Sequence, residues 1–491
     1  MKTCIVKNHF FLLHLIAGLV VAFAAAATAQ TYTTLIDLPY DYGSPGLILS
    51  SNTLYVSNPG NPLGYFGHVG LLFKINTDGS GVGPLHQFGG FGDGSFPEAG
   101  LVLASNVLYG TASQGGAGGS GTVFAISTDG TGYGTVYNFT PTSYSEPPYV
   151  SALTNSDGAA PYCTLVVSGN WLYGTARLGG GSANGTVFKV STDGTIFRTL
   201  HTFSGPGFAD PSAGVTNSDG AHPVAGLVLS GNTLYGTTSR GGTAGNGTVF
   251  AVNTDSTGFT NLHSFTTLDA VTGTNSDGAG PASPLLLSGT TLYGTTPVGG
   301  SASNGTVFKL SIDGTGFKVL HSFVSATDGA APQAELVLWG NTLYGTANSG
   351  GTWGFGTVFA LSTEGQGFQV LKSFTGQQGD GANPTSALIL SGNAVYGGLN
   401  NSETGNGASA IFKLSYPAPQ LGIISSPPNV ILTWPTDYLG FPYTGFILQS
   451  TANLVSPLWT TNSVTPIVVN GQNVVTNPIS GIQQFYRLSQ R

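Results

Sequence analysis

Charged residues are scarce in this chain. Lys, Arg, Asp and Glu make up 7% of its 491 residues, against about 25% in an ordinary soluble protein. Too little Glu and Lys is present to cover the outer faces of long helices, which excludes a helix-rich surface. Basic residues are the scarcer kind: 13 against 21 acids, a net charge of −8. That balance argues against nucleic acid or an anionic membrane as partner. Cysteine is nearly missing, with Cys4 and Cys163 alone. Long hydrophobic runs are missing too, apart from residues 10–27. Lys2 and Lys7 precede that run and Ala27-Thr28-Ala29 follows it. Residues 1–29 therefore read as a secretory signal peptide cleaved before Gln30, in preference to an uncleaved membrane anchor. The mature chain then holds one cysteine, so no intramolecular disulfide forms, and packing and hydrogen bonds alone must hold an exported protein together. Cys163 has no basic neighbours in sequence and reads as a buried structural residue. No membrane span remains after cleavage, and the expected location is secreted or on the outer cell surface.

Glycine is abundant, at 76 residues, roughly twice the usual share. With Thr, Ser, Val and Leu it suits short strands joined by tight turns. Its distribution is periodic. Leu-Tyr-Gly or a close relative recurs around Tyr55, Tyr109, Tyr173, Tyr235, Tyr293, Tyr344 and Tyr396. A Gly-Thr-Val-Phe or relative follows each, ending at Phe73, Phe124, Phe188, Phe250, Phe308, Phe359 and Phe412. Residues 225–265 give the clearest copy: strands at 226–230, 233–238, 248–252 and 259–265, with Gly231-Asn232 as a hairpin turn. Four antiparallel strands per copy, with no helical period, describe a β-propeller blade.

Fourth strands are found at 85–88, 136–139, 200–203, 262–265, 320–323 and 371–374, one fewer than the tyrosines. Residues 32–38 have the missing shape. An open ring would leave two bare sheet edges. The predicted fold is therefore all-β: a seven-bladed β-propeller over 30–416, closed by one N-terminal strand plus three C-terminal strands. The alternatives are an eight-bladed ring or an open β-solenoid. A Pro-rich linker at 417–429 precedes a small module at 430–491. Predicted strands there, including a hairpin around Asn470-Gly471, suggest an immunoglobulin-like or fibronectin-like β-sandwich.

In a blade, the second-to-third loops and the blade-to-blade loops share one face. Here they vary, with insertions at 140–156, 204–218 and 266–276, so that face is expected to bind. Tyr65 and Phe66 in the first copy, and Trp353 and Phe355 in the sixth, are candidate stacking platforms for sugar rings or a partner's side chains. Arg177 and Arg240 lie in the same loops of the third and fourth copies and can donate hydrogen bonds. The competing reading is that the aromatics fold down over the blade tops.

Most aspartates are periodic. One set lies in Thr-Asp-Gly-type turns, the other in Asp-Gly-x-x-Pro segments that lead into each blade; both read as turn caps. Asp157, Asp219 and Asp277 of the second set are weak Ca²⁺ candidates, since each loop brings one acid where calcium wants several oxygens. No cofactor is otherwise indicated. His86, His201, His263 and His321 share one fourth-strand position and are too far apart to hold one metal. The glycine loops lack the following helix of a phosphate site. No catalytic set stands out. Glu98, Glu146, Asp210, Asp269, Glu335 and Glu403 are scattered acids, two of which would have to meet across the face to hydrolyse a glycoside.

The sequence elements Leu234-Tyr-Gly-Thr-Thr238, Gly247-Thr-Val-Phe250 and Leu262-His-Ser-Phe265 resemble the GloVer-type tandem repeat of bacterial "choice-of-anchor" proteins. The resemblance implies an exported protein whose C-terminal segment anchors or sorts it. It carries no catalytic residues. The expected function is a non-catalytic, monomeric propeller that binds an extracellular glycan or protein. A surface-structural or adhesive protein, and a polysaccharide lyase or hydrolase, are the alternatives.

Overall fold

The computed structural model describes residues 4–7, 30–38, 46–60, 69–90, 92–144, 153–205, 216–377, 380–401, 409–438, 441–443, 446–478 and 483–490. Every regular element among them is a β-strand. The chain divides into two compact units. Thr33–Ile389 with Gly397–Phe412 forms the larger, and Met1–Tyr32, Leu390–Tyr396 and Lys413–Arg491 the smaller.

Six repeat copies each form a four-stranded antiparallel sheet whose strands follow chain order. In the fourth copy these are Val228–Ser230, Thr233–Thr238, Thr248–Asn253 and Thr260–Ser264. The last copy forms a five-stranded sheet in which Thr31–Leu38 lies beside Ser409–Ser415, followed by Ala394–Asn401. An N-terminal strand thus takes the fourth-strand place in the last sheet.

The repeated motif has a steric cause. Gly236 stands opposite Phe250 in the sheet register, and the ring lies across the glycine. A Cβ on Gly236 would stand 2.7 Å from Phe250 Cζ and 2.7 Å from Leu227 Cδ2. The same clash recurs at Gly110, Gly174, Gly294, Gly345 and Gly397. Leu-Tyr-Gly and Gly-Thr-Val-Phe are therefore two halves of one contact. The first copy departs, with buried Val56 opposite Phe73.

Aromatic rings join each sheet to the next. Phe203 of the third sheet meets Phe250 of the fourth edge-on at 5.3 Å, and His201 stacks on Phe259 at 3.6 Å. Phe203 and Phe250 are fully buried, each contributing roughly 1.5–3 kcal/mol. Hydroxyls of the strand after Leu-Tyr-Gly add polar links: Thr175 Oγ1 donates to Ala225 O at 2.8 Å, and Thr111 Oγ1 to Cys163 O at 2.9 Å. Cys163 is buried, and burial pushes its thiol up to about 11.

The two aspartate sets behave differently. In the turns, Asp193 accepts from the Thr195 amide and hydroxyl, as a turn cap. The lead-in aspartates do more, because each reaches the fourth strand of the preceding sheet. Asp219 and Asp277 accept from His201 and His263 at 3.0 Å, Asp157 from Tyr137 at 2.7 Å, and Asp380 pairs with Lys372 at 2.6 Å. The amides of Thr140, Ser204 and Thr266 donate to the same carboxylates. The weak Ca²⁺ candidates belong to this set. The oxygens of Asp157, Asp219 and Asp277 are taken up by N–H and O–H donors, and the three residues serve three different sheets. No group of three His, Cys, Asp or Glu side chains suited to a metal occurs among the described residues.

In the smaller unit, Gly422–Ser426, Asn429–Pro435, Gln472–Pro478 and Ile467–Val469 form one sheet in that order. A second orders Cys4–Lys7, Gln483–Gln490, Phe446–Thr451 and Thr460–Thr461. Leu432, Trp434, Leu448, Val475 and Tyr486 share one core. Asn470 and Gly471 take φ of 49° and 73°, the left-handed pair a two-residue hairpin turn needs. Residues 422–426, placed in the linker by sequence, are a strand, because Ile423 and Leu421 pack against that core.

Candidate functional site

The lead-in segments of the repeat sheets build the site. In Asp-Gly-x-x-Pro, the residue before proline is left-handed: Phe96 at 57°, Ala160 at 53°, His222 at 55°, Ala331 at 54° and Asn383 at 57°. Non-glycine residues adopt this backbone at a cost and need support. Hydrogen bonds supply it. The His222 amide donates to Asn184 O at 2.9 Å in the loop of the preceding sheet, and its carbonyl accepts from the Ser239 amide at 3.1 Å in its own. Ala221 also bridges Arg240, and Ala159 bridges Leu178. Each lead-in is thereby fixed to the second-to-third loop of its own sheet, so these segments share a face, as the sequence suggests.

After the proline the chain runs inward. Glu98, Tyr162, Val224, Ala282, Gln333 and Thr385 follow successive prolines, and all line one cavity of about 430 Å³. Two positions on, Gly100, Thr164, Gly226, Pro284, Glu335 and Ala387 line it again, with Gly46 and Ile48 from the first copy. The residues between them, Ala99, Ala225, Ala334 and Ser386, line it as well, so each segment borders the cavity along its length. Small residues bring the walls close: a Cβ on Gly226 would stand 2.6 Å from Thr164 O. The volume is within the range of small-molecule sites.

Its polar groups are unevenly distributed. Arg177 Cζ lies 5.5 Å from the Tyr162 ring. Burial pushes the Glu98 carboxyl up to about 7, against the pull of Ser113 at 3.4 Å and the charge of Arg177. Burial alone pushes Glu335 up to about 7. Glu98 is nonetheless open to water, and Glu335 partly so. A carboxyl on a cavity wall combines the two, because protein surrounds the water that reaches it. His222 is buried, and desolvation, then the charges of Arg177 and Arg240, lowers it to about 4. It is neutral at neutral pH. Two buried atoms lack a partner here: Arg177 Nε and Thr385 Oγ1.

The predicted binding residues separate. Arg177 and Arg240 come together around His222. Trp353 and Phe355 lie in the loop of the sixth sheet, 59% and 41% exposed. Phe355 rests against the backbone of Gly376, whose Cβ would meet the ring at 2.7 Å, while Trp353 stands out. Tyr65, Phe66 and much of the insertions at 140–156 and 204–218 lie outside the described residues. Of the scattered acids, Glu98 and Glu335 both line the cavity. Tyr162, His222, Gln333 and Thr385 escaped sequence reasoning. Their signal is the position after or before the lead-in proline, which varies from copy to copy while its neighbours repeat.

The fold and cavity define a class: an all-β tandem-repeat protein of propeller type, in which four-stranded antiparallel sheets present their innermost strands to one cavity. Within it, residues 213–412 match the model of the Gloeobacter/Verrucomicrobia repeat, so the repeat is of the kind that the resemblance indicated. No curated protein matches the chain. Among solved structures, an oligogalacturonate lyase from Vibrio parahaemolyticus is similar at 12% identity and a TM-score of 0.46, over 80% of this chain and 96% of its own. TolB from Acinetobacter baumannii is similar at 13% identity and 0.34, over 68% of this chain and 65% of its own. A nidogen/laminin complex is similar at 15% identity and 0.36, over 62% and 90% respectively.

Proposed function

We propose that this protein is an exported, non-catalytic seven-bladed β-propeller that binds a glycan outside the cell, monomeric and without a cofactor. The N-terminal strand closes the ring, residues 1–29 are removed on export, and the C-terminal module, an immunoglobulin-like sandwich, anchors or sorts the protein. The observation that carries the binding reading is the cavity: six lead-ins and the first strand of the first copy line it, and it mixes hydrogen-bonding groups with one aromatic face, Tyr162. Sugars need that mixture, with rings for their C–H faces and fixed polar groups for their hydroxyls. A glycan array with the mature protein tests the reading. A saccharide signal that falls at least roughly fivefold in Tyr162→Ala supports it, since a stacked ring contributes about 1 kcal/mol or more; no signal on any glycan removes it. A second reading, a polysaccharide lyase or hydrolase, is favoured by two carboxyls near pKa 7 in one cavity, the range of a general acid. Sustained turnover on a polysaccharide panel would establish it.

A further inference from the structure

The Arg177 guanidinium is the least satisfied polar group at this site. Its Nε is buried without a partner. Among the described residues no carboxylate stands within ion-pair distance of it, and its guanidinium lies 5.5 Å from the ring of Tyr162. A guanidinium is a planar fork matched to a carboxylate, and its hydrogen bonds to a charged acceptor are among the strongest in proteins. The Nε is closed to solvent, so a ligand carboxylate would meet the terminal nitrogens of the fork, beside the cavity wall at Tyr162.

Its surroundings favour an anion. The chain has 5 arginines, and two of them, Arg177 and Arg240, act together on His222. His222 adds no positive charge of its own near neutral pH, but it adds no negative charge either. Glu98 is the carboxyl that acts on Arg177, and its shift means that it meets a ligand largely in the neutral, proton-donating form below pH 7. Glu335 lies on the same cavity wall. Elsewhere in the cavity Thr385 holds an unpartnered hydroxyl, and Gln333 and Thr164 line the same wall, with Thr164 Oγ1 accepting from the Gly100 amide.

We infer that the cavity selects acidic saccharides, with a ligand carboxylate seated on Arg177 and the sugar ring reaching over Tyr162 into the cavity. The inference rests on the glycan-binding reading above and names its ligand class. A sulfate ester offers the same anionic oxygens, but three of them in a tetrahedron in place of a planar pair, so the fork favours the carboxylate.

The test is calorimetric titration of the full mature protein with an oligouronide, its carboxyl-reduced neutral counterpart and a sulfated neutral oligosaccharide of equal length. The oligouronide is expected to bind, and the reduced form to bind at least about tenfold more weakly, as loss of a charged hydrogen bond requires. Arg177→Gln should remove that preference and shift the thermal midpoint little, because among the described residues the guanidinium makes no hydrogen bond and gives up only its contact with the Tyr162 ring. Equal binding of acidic and reduced forms, or an Arg177→Gln variant that keeps the preference, overturns the inference while glycan binding stands. Preference for the sulfated ligand overturns the carboxylate assignment. No binding of any of the three removes both readings.

Discussion

Replacing Glu335 by Gln should leave stability unchanged in mild acid and increase it in mild base. Glu335 is raised from 4.5 to about 7 by burial, with no charged partner contributing. The unfolded carboxyl ionises near 4.5, while the folded one keeps its proton to about 7. Between these values the folded state binds more protons than the unfolded state, so stability falls as pH rises. Below pH 4.5 both states are protonated and the group costs nothing; above pH 7 both are ionised and the full penalty applies. At about 1.4 kcal/mol per pKa unit the ceiling is roughly 3 kcal/mol. Partial exposure to cavity water reduces that to roughly 1–3 kcal/mol. Glutamine has the same shape and no charge, so it escapes the penalty. Urea unfolding at pH 4.5, 6 and 8.5, followed by near-ultraviolet circular dichroism, reads it directly. The variant's midpoint should coincide with the parent's at pH 4.5 and move above it by pH 8.5. An equal gap at every pH, or a variant less stable at pH 8.5, would show that Glu335 is ionised and held by a partner, and would refute the argument.

Three further outcomes test the scaffold. Gly236→Ala drives a methyl group into Phe250 and Leu227 and should cost roughly 1–3 kcal/mol as overpacking, read as a lower urea midpoint. Asp219 is pushed up by burial but pulled down further by His201 and Ser204, and is lowered on balance. Its stabilisation is therefore full above the ordinary carboxyl range and lost as pH falls through the depressed value. Asp219→Asn should cost roughly 1–3 kcal/mol at pH 7, and its deficit should close in acid denaturation below about pH 4. Deleting residues 30–38 strips the strand beside Ser409–Ser415 and exposes a sheet edge. The truncated protein should melt well below the mature protein in calorimetry, and an unchanged melting profile would refute closure by that strand.

The scaffold was legible because its rules are local. Alternating strands, Gly-Asn and Asp-Gly turns, and a tyrosine–phenylalanine spacing set by one hairpin are all written within about 40 residues of chain. Even the displaced strand at Thr31–Leu38 could be found by counting. The linker boundary failed at Gly422–Ser426, where two prolines after a short apolar stretch look like a spacer until Leu432 and Trp434 are seen beneath it.

The site obeys no local rule. By itself the sequence determined that this is a repeated all-β chain, which residues its turns consume and which face carries the variable loops. Tertiary structure decided that the fourth-strand histidine, tyrosine and lysine partners of the lead-in aspartates are inter-sheet clamps, that Trp353 and Arg177 belong to different places, and that Glu98, Tyr162 and Glu335 share one cavity. The reason is geometric. A repeat places equivalent positions at equal angles around a common interior, so residues in different copies become neighbours only when the sheets are assembled, and one-off residues such as Glu98 and Glu335 leave no period by which a sequence could announce it.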